Sequence, residues 1–241
     1  MLLPAQSRSQ TSTTASSTQP SSSDALEARL NDIDHRAGAV KDLTASFTQQ
    51  KLTTLMKRPI FSTGVVRAKG SIVRWDTRSP DANVLYTDGK ELRLYYPSQN
   101  LEEIYPIDQR LSDLLSSPLP RLAVVRDHFQ IARAEPAVVM ELLAGSGASP
   151  AAVSIGLLPL RLTPTDPALK EHVQQVIVLL DPKTSLVMAV QTTDSDGDKT
   201  TMVFSDVHLD TGLHPADLAL VIPAGTSISH PLQGRKTPDS P

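Results

Sequence analysis

Apolar residues recur every three or four positions between residues 26 and 47, which is the spacing of one helical face. The positions that share this spacing are Leu26, Leu30, Ile33, Ala37, Val40, Leu43 and Phe47. Ser23 and Asp24 precede them and are residue types that cap helices. The pattern predicts an amphipathic helix with Phe47 on its apolar stripe. Gly38 is the position where it would break in two, because glycine costs about 1 kcal/mol in a helix interior.

After residue 60 the period shortens to that of β-strands rich in branched and aromatic residues, with turn residues between them. The five strands that we predict here are 62–69, 71–76, 83–87, 91–96 and 101–105. Asp88-Gly89 lies between two of these strands and is the strongest hairpin signal in the chain. It predicts a type I′ turn, which has positive φ at both central residues.

The spacing between residues 111 and 129 is helical again, but Pro118 and Pro120 prevent one continuous helix. We predict two short helices that form a flap over a cavity, and a surface loop with two helical turns is the alternative. Five further strands are predicted after Pro120, at 138–143, 156–163, 173–180, 186–191 and 200–205.

About ten or eleven strands with few helices indicate a mainly β (α+β) fold. Because partial closure removes exposed sheet edges, we expect an incomplete antiparallel β-barrel around a hydrophobic cavity, with the helices covering or plugging it. Residues 24–230 are expected to form this domain. Residues 1–23 read as a disordered leader rich in serine and threonine, and residues 231–241 as a frayed tail.

Composition narrows the class of function. The 241 residues carry 23 basic and 26 acidic side chains without a basic stripe, so we expect no nucleic-acid partner. The chain has no cysteine, which excludes disulfides, thiol catalysis, cysteine-ligated metals and a lipid anchor on cysteine. Aromatic residues make up only 4% and hydrophobic residues 39%, so the interior is mostly aliphatic and suits alkyl chains.

The possible catalytic and metal motifs each have a simpler structural interpretation. The six histidines lie far apart with no His-x-x-x-His spacing. Residues 194–198 begin like a calcium loop but lack its glycine at position six and glutamate at position twelve, so a tight hairpin is favoured. No serine sits in a Gly-x-Ser-x-Gly motif. We therefore predict no enzymatic activity, no metal and no cofactor.

Several short motifs follow one another in a recognisable order: residues 43–49, Val73-Arg-Trp75, Thr87-Asp-Gly-Lys90, Leu92 to Pro97, and Leu218 to Gly225. This order resembles the LolA-like family of outer-membrane lipoprotein carriers, in a divergent branch. The resemblance implies a carrier that shields acyl chains of lipoproteins, or of another lipid, in its cavity. It implies an inner-membrane ABC-type exporter and an outer-membrane acceptor as partners. It also implies a periplasmic location, although the N-terminus shows only a fragment of a signal peptide. We expect a monomer.

Residues that would line the cavity follow from strand alternation. If Trp75 faces inward, the period of two places Val73 with it, and Leu92 and Leu94 share one face of the next hairpin. The candidate lining residues are Phe47, Val73, Trp75, Leu92, Leu94, Ile104, Leu114 and Leu115. An ordinary dry core is the alternative for each of them.

The resemblance also implies a cationic residue that latches the lid. Lys69 occupies that place in this chain, and Arg67 and Arg74 are the alternatives. A lipid- or lipoprotein-sensing regulatory or adaptor protein of the cell envelope is the alternative function. A carrier is favoured, because a sensor would usually need a second domain.

Overall fold

One sheet of twelve strands, almost entirely antiparallel, is the framework of the protein. The computed structural model describes residues 22–106, 119, 122–145 and 156–231. The strands are β1 Asp42–Leu52, β2 Ile60–Lys69, β3 Ile72–Ser79, β4 Asn83–Thr87, β5 Glu91–Tyr96, β6 Leu101–Pro106, β7 Phe129–Arg133, β8 Leu158–Pro164, β9 Val173–Asp181, β10 Leu186–Asp194, β11 Lys199–Leu209 and β12 Ser227–Ser229. The helices are α1 Ser22–Ala37, α2 Leu122–His128, α3 Pro136–Gly145, α4 Pro167–Lys170 and α5 Pro215–Leu218, with a 3₁₀ turn at Pro97–Gln99.

The strand order shows that the sheet is open. It runs β12-β6-β5-β4-β3-β2-β1-β11-β10-β9-β8-β7, so β12 and β7 lie at opposite edges. Every pairing is antiparallel except that of β12 with β6, which is parallel. An incomplete antiparallel barrel with few helices is thus confirmed, with one strand more than the predicted upper number.

The predicted first helix is wrong beyond Ala37. The helix ends there, Gly38 donates its N–H to Asp34 O at 2.9 Å, and Phe47 lies on strand β1. Leu43 and Phe47 fit both a helical and a strand period, and for this reason the sequence pattern predicted a helix where the structure has a strand. Leu43, Ala45 and Phe47 are buried while the intervening threonine and serine are less so, which is the alternation of a strand between two neighbours.

Three other predictions need correction. Residues 138–143 form part of helix α3, and Phe129 begins strand β7 instead of ending a helix. The Asp88-Gly89 turn is not type I′, since only Gly89 has positive φ, at 89°. Thr87 pairs with Leu92, so the connection is a longer loop in which Asp88 Oδ1 accepts a hydrogen bond from the N–H of Lys90 at 2.9 Å.

The remaining predicted strands are confirmed, and the predicted flap lies only partly within the described residues. Its residues 111–118, 120 and 121 lie outside them, while residues 122–128 form helix α2.

The two faces of the sheet carry different helices. We call the face that bears Trp75 the inner face and its opposite the outer face. Helices α1 and α2 pack on the inner face of β7 to β10, where Leu30 and Ile33 of α1 are completely buried. Helix α3 packs on the outer face of β9 and β10 through Leu142 and Leu143. Burying one such aliphatic side chain stabilises the fold by about 1.5–3 kcal/mol.

The C-terminal segment, residues 210–229, is called the strap, because it leads from the end of β11 across β2 and β3 to the far edge of the sheet. Its helix α5 contacts β2 and β3, and its last strand, β12, pairs with β6. Near that edge, the N–H of Ser227 donates to Asn100 O at 2.9 Å, and Asn100 Nδ2 donates to Gly225 O at 3.0 Å.

Asp42 holds the beginning of the strap. Its buried carboxylate accepts the backbone N–H groups of Thr211 at 2.7 Å and of Gly212 and Leu213 at 3.0 Å, as well as the Thr211 hydroxyl at 3.1 Å. Burial raises the pKa of Asp42, but the hydrogen bonds from Thr211, Leu213 and Gly212 outweigh it, and the pKa lies below its ordinary value. The ionised carboxylate is therefore the form that fixes the strap.

Candidate functional site

A half-open pocket of about 300 Å³ lies on the inner face, where strands β11, β1, β2, β3 and β4 run side by side. Its lining residues are Phe47, Gln49, Ser62, Trp75, Thr77, Asn83, Leu85 and Met202. The strand register brings them together, because Phe47 faces Phe204 on one side and Gly64 on the other, and Trp75 faces Leu85. The pocket volume is at the lower end of the range of about 300–1,000 Å³ that ligand sites occupy.

Two aromatic rings, Phe47 and Trp75, form the floor of this pocket, and the ring of Phe204 packs against Trp75. Phe47 and Trp75 meet edge to face with ring centroids 5.3 Å apart, and Trp75 and Phe204 are 5.9 Å apart. Such pairs stabilise by about 0.5–1.5 kcal/mol beyond the burial of their area. Phe47 and Phe204 are buried whereas Trp75 is half-buried, so the indole is the member of the cluster that is open to a ligand.

Gly64 makes the aromatic floor possible. A Cβ at this position would lie 2.5 Å from Cζ of Phe47 and would also overlap the backbone oxygen of Asp76. Glycine is therefore the residue that lets the Phe47 ring lie flat against strand β2.

The lining changes character along the strands. Gln49 and Ser62 face each other at the end nearest the β1–β2 turn, whereas Trp75 and Leu85 form a pair farther from that turn. None of the lining side chains among the described residues is ionisable. The pocket thus has an apolar end and an uncharged polar end, an arrangement that suits an uncharged amphiphilic segment.

The structure places five of the predicted lining residues on the inner face of β1, β3 and β5. Phe47 and Trp75 line the pocket. Leu92 and Leu94 are half-buried on the same face, with Leu94 directly opposite Leu85. They extend the apolar surface of the pocket along β5.

Val73, the fifth predicted residue on the inner face, is only 1% exposed and lies within the core beside Phe47. Ile104 pairs with Arg93, on the outer face, so the structure does not bring it to the pocket. Leu114 and Leu115 lie outside the described residues. Leu119, the described residue nearest to them, packs against the core cluster that contains Phe47 and Val73.

The sequence analysis missed the other pocket residues: Gln49, Ser62, Thr77, Asn83, Leu85 and Met202. Leu85 could have been found, because the hairpin after Trp75 predicts which residue faces the indole. Met202 could not, since it reaches the site through the pairing of β1 with β11, which are far apart in the sequence.

The inner face ends in a polar cluster on β5 and β6. The hydroxyl of Tyr105 donates to Glu103 Oε2 at 2.8 Å, and Glu103 lies directly opposite Leu94. This hydrogen bond, followed by burial, raises the pKa of Tyr105. Burial and then Glu103 raise the pKa of Tyr96. Both tyrosines therefore stay neutral at physiological pH beside one carboxylate.

The predicted latch cations lie on the outer face. Lys69 Nζ donates to the backbone carbonyl of Leu213 at 2.6 Å, in the strap. Arg74 donates to the carbonyl of Ala219, and Arg67 and Arg74 both bind the carboxylate of Asp76. A lid-latching role for Lys69 stays a prediction.

Within the described part of the chain, no three histidine, aspartate or glutamate side chains come close enough together to hold a metal ion. The helices described here include none with the length and apolar character needed to cross a bilayer.

Residues 38–135 match the model of the family described as outer membrane lipoprotein carrier protein LolA. This part of the chain is LolA-like. It includes the pocket strands β1 to β4 and every lining residue predicted from the sequence, so the resemblance to a divergent branch of the LolA-like family is confirmed. No curated protein sequence matches the chain.

Several solved structures are similar to this chain. An uncharacterised conserved protein from Thermus thermophilus has a TM-score of 0.49 at 12% identity, over 86% of this chain and 99% of that one. A LolA superfamily protein from Nitrosomonas europaea has a TM-score of 0.41 at 11% identity, over 80% and 97%. The MucA/MucB complex of Pseudomonas aeruginosa has a TM-score of 0.43 at 14% identity, over 82% and 61%.

Proposed function

We propose that this LolA-like protein is a periplasmic carrier that binds acyl chains of lipoproteins, or of another lipid, in the inner-face pocket. It moves them from the inner membrane towards the outer membrane and works by binding and release, without catalysis. The observation that carries the proposal is the half-open, uncharged pocket with an aromatic floor on the strands that match the family model.

The energetics of transit explain why such a pocket is useful. Each methylene group that leaves water contributes about 0.8 kcal/mol, so one long acyl chain exposes more than about 10 kcal/mol of unfavourable surface. Trp75, Leu85 and Met202 offer apolar surface for this chain. Because apolar burial has no directional requirement, the same surface can accept chains from different cargo molecules.

The pocket alone holds only part of a long chain, and the neighbouring strand supplies a continuation. Leu92 and Leu94 are half-buried on the inner face, in register with the Trp75–Leu85 pair. An acyl chain that starts on Trp75 would run across Leu85 to Leu94, and Glu103, directly opposite Leu94, marks the end of this apolar path. Gln49 and Asn83 at the polar end offer amide groups to an ester or amide of the cargo.

The partners of this carrier would be an inner-membrane ABC-type exporter that supplies the lipid and an outer-membrane acceptor that receives it. Transfer in one direction requires only that the acceptor bind the acyl chain more tightly than the pocket does.

The single tryptophan of the chain gives a direct test. Trp75 lies in the pocket, so titration of the delipidated protein with an acyl probe should change tryptophan emission with saturation at one site. Leu85→Ser should weaken binding. Ile104→Ser, on the outer face of a nearby strand, is the matched control and should not.

Lipid that co-purifies from an envelope extract would identify the cargo by mass spectrometry. Absence of both co-purifying lipid and saturable probe binding would reject the carrier, and a sensing or adaptor role of the same envelope protein would then be the better hypothesis.

A further inference from the structure

The turn between β1 and β2 concentrates exposed apolar side chains. Five of the eight large hydrophobic side chains that are exposed in the described residues lie between positions 52 and 61. They are Leu52, Leu55, Met56, Ile60 and Phe61, and Leu55 is 94% exposed. We call residues 51–61 the tip. Single exposed apolar residues are common on protein surfaces, but a cluster of this kind indicates a binding surface.

Hydrogen bonds hold the tip in place. Asp198 Oδ1, in the neighbouring β10–β11 turn, accepts the N–H of Thr54 at 2.7 Å and its hydroxyl at 3.1 Å. The N–H of Met56 donates to Thr53 Oγ1 at 3.1 Å. Leu55 is therefore presented to solvent by a structured turn that is anchored on both sides of it.

The charged side chains of the tip are all basic. Lys51, Lys57 and Arg58 are exposed, and residues 51–63 contain no acidic side chain. Asp198 of the neighbouring turn is the acidic residue that contacts the tip, and its carboxylate is engaged by the N–H and the hydroxyl of Thr54. The basic side chains of the tip itself favour its approach to an anionic surface.

The apolar side chains do not form one flat face. Ile60 pairs with Lys51 and points to the inner side of the hairpin, whereas Phe61 pairs with Gln50 and points to the outer side. Leu55 lies at the turn between the two strands. A protein partner would cover one side of the hairpin, but a lipid interface surrounds an inserted tip on all sides.

We propose that the tip is a membrane-docking element that inserts Leu55, Met56 and Phe61 into the headgroup region of an anionic phospholipid bilayer. Lys57 and Arg58 then lie at the level of the lipid phosphates, the position that long basic side chains take at an interface. Gln49 and Ser62 follow the tip directly along β1 and β2 and line the pocket, so docking brings the polar end of the pocket to the bilayer surface. This last consequence rests on the proposed carrier function, whereas the docking itself does not.

Vesicle co-sedimentation of the full chain tests the docking. The protein should bind vesicles of phosphatidylcholine mixed with phosphatidylglycerol, and bind vesicles of phosphatidylcholine alone much more weakly. Leu55→Asp should weaken binding about tenfold to a hundredfold, and the pair Lys57→Gln with Arg58→Gln about thirtyfold. Val221→Asp changes another exposed apolar residue, 79% exposed on the strap, and should leave binding unchanged.

Site-specific labelling tests the depth of insertion. The chain has no cysteine, so Leu55→Cys and Val221→Cys each create a single attachment point for a polarity-sensitive dye. Vesicles should shift the emission of the dye at position 55 to the blue and leave the dye at position 221 unchanged.

Equal sedimentation of wild type and Leu55→Asp, or no binding to either vesicle type, would overturn the proposal. A tip that crosslinks to an envelope protein but does not bind vesicles would also overturn it in favour of protein docking. Acyl-probe titration without vesicles and vesicle binding without the probe are independent measurements, so failure of one proposal is distinguishable from failure of the other.

Discussion

The inner face of the sheet has two halves that differ in what lies on them. On β7 to β10, helix α1 buries Leu160 and Leu180 so that neither is exposed. On β3 to β5, Trp75, Leu85 and Leu94 stay half-buried in the described structure. Both halves show the same alternation of apolar side chains. Burial by a helix, and not the strand pattern, decides which half is core and which is pocket.

The difference separates stability from binding within one sheet. The covered half holds close-packed aliphatic side chains, which is where truncation leaves a cavity. The open half exposes an aromatic floor that a ligand can complete. We therefore expect mutations in the covered half to lower mainly the free energy of unfolding, and mutations in the open half to weaken mainly ligand binding.

Leu30→Ala should have the largest effect on stability. Leu30 is completely buried between α1 and the sheet, so the free energy of unfolding should fall by about 2–5 kcal/mol. Leu94→Ala in the open half should cost less than about 1 kcal/mol, because its side chain already contacts water. Urea denaturation of both variants measures the difference, and equal losses would show that the open half is also a closed core.

Gly64→Ala should affect both the stability of the fold and the binding of the acyl probe. The added methyl group overlaps Phe47 and the backbone of Asp76, so we expect a loss of about 1–3 kcal/mol in stability. The displaced Phe47 ring should also weaken acyl-probe binding. Gly38→Ala is the control, since its Cβ would lie 3.4 Å from Asp34 O, and it should change neither property appreciably. If Gly64→Ala is destabilised but binds the probe normally, the aromatic floor does not take part in probe binding.

Asp42→Asn should remove a pH dependence of stability. The folded state lowers the pKa of Asp42, so on acidification the unfolded chain takes up its proton first. The stabilisation is present above the ordinary aspartate pKa and is lost as the pH falls through the lower, folded-state value. Unfolding curves recorded across this acidic range should be flatter for Asp42→Asn than for wild type. Parallel curves would mean that the strap is held without the carboxylate.

Leu94→Ser should have the smallest effect and the most specific one. If an acyl chain runs from Trp75 past Leu85 to Leu94, the variant should weaken a long-chain probe several-fold and leave a short-chain probe unaffected, because each methylene contributes about 0.8 kcal/mol. Equal weakening of both probes would indicate that the chain takes another direction in the pocket.

The sequence predicted the open half of the fold well. Strands β2 to β6 follow a clear period of two with turn residues between them, and Trp75 with Leu92 and Leu94 came out on one face as expected. Local alternation suffices for such hairpins, since each strand pairs with its neighbour in the chain.

The sequence failed where one pattern fits two structures. Leu43 and Phe47 satisfy both a helical and a strand period, and their strand conformation depends on pairing with Leu209 and Phe204, far along the chain. The apolar run 138–143 suited a strand, but it forms a helix over Ile177 and Leu179. Met202 became a pocket residue through the same long-range pairing. Contacts of this kind are not encoded in local periodicity.

The pairing of Phe47 with Phe204 also has a consequence for when the pocket can form during synthesis. Phe47 is near the start of the domain and Phe204 near its end, so the pocket is assembled only when almost the whole chain has been synthesised. The edge strand β12 is added later still. The complete pocket, and with it the proposed binding of lipid, is therefore expected only of the finished domain.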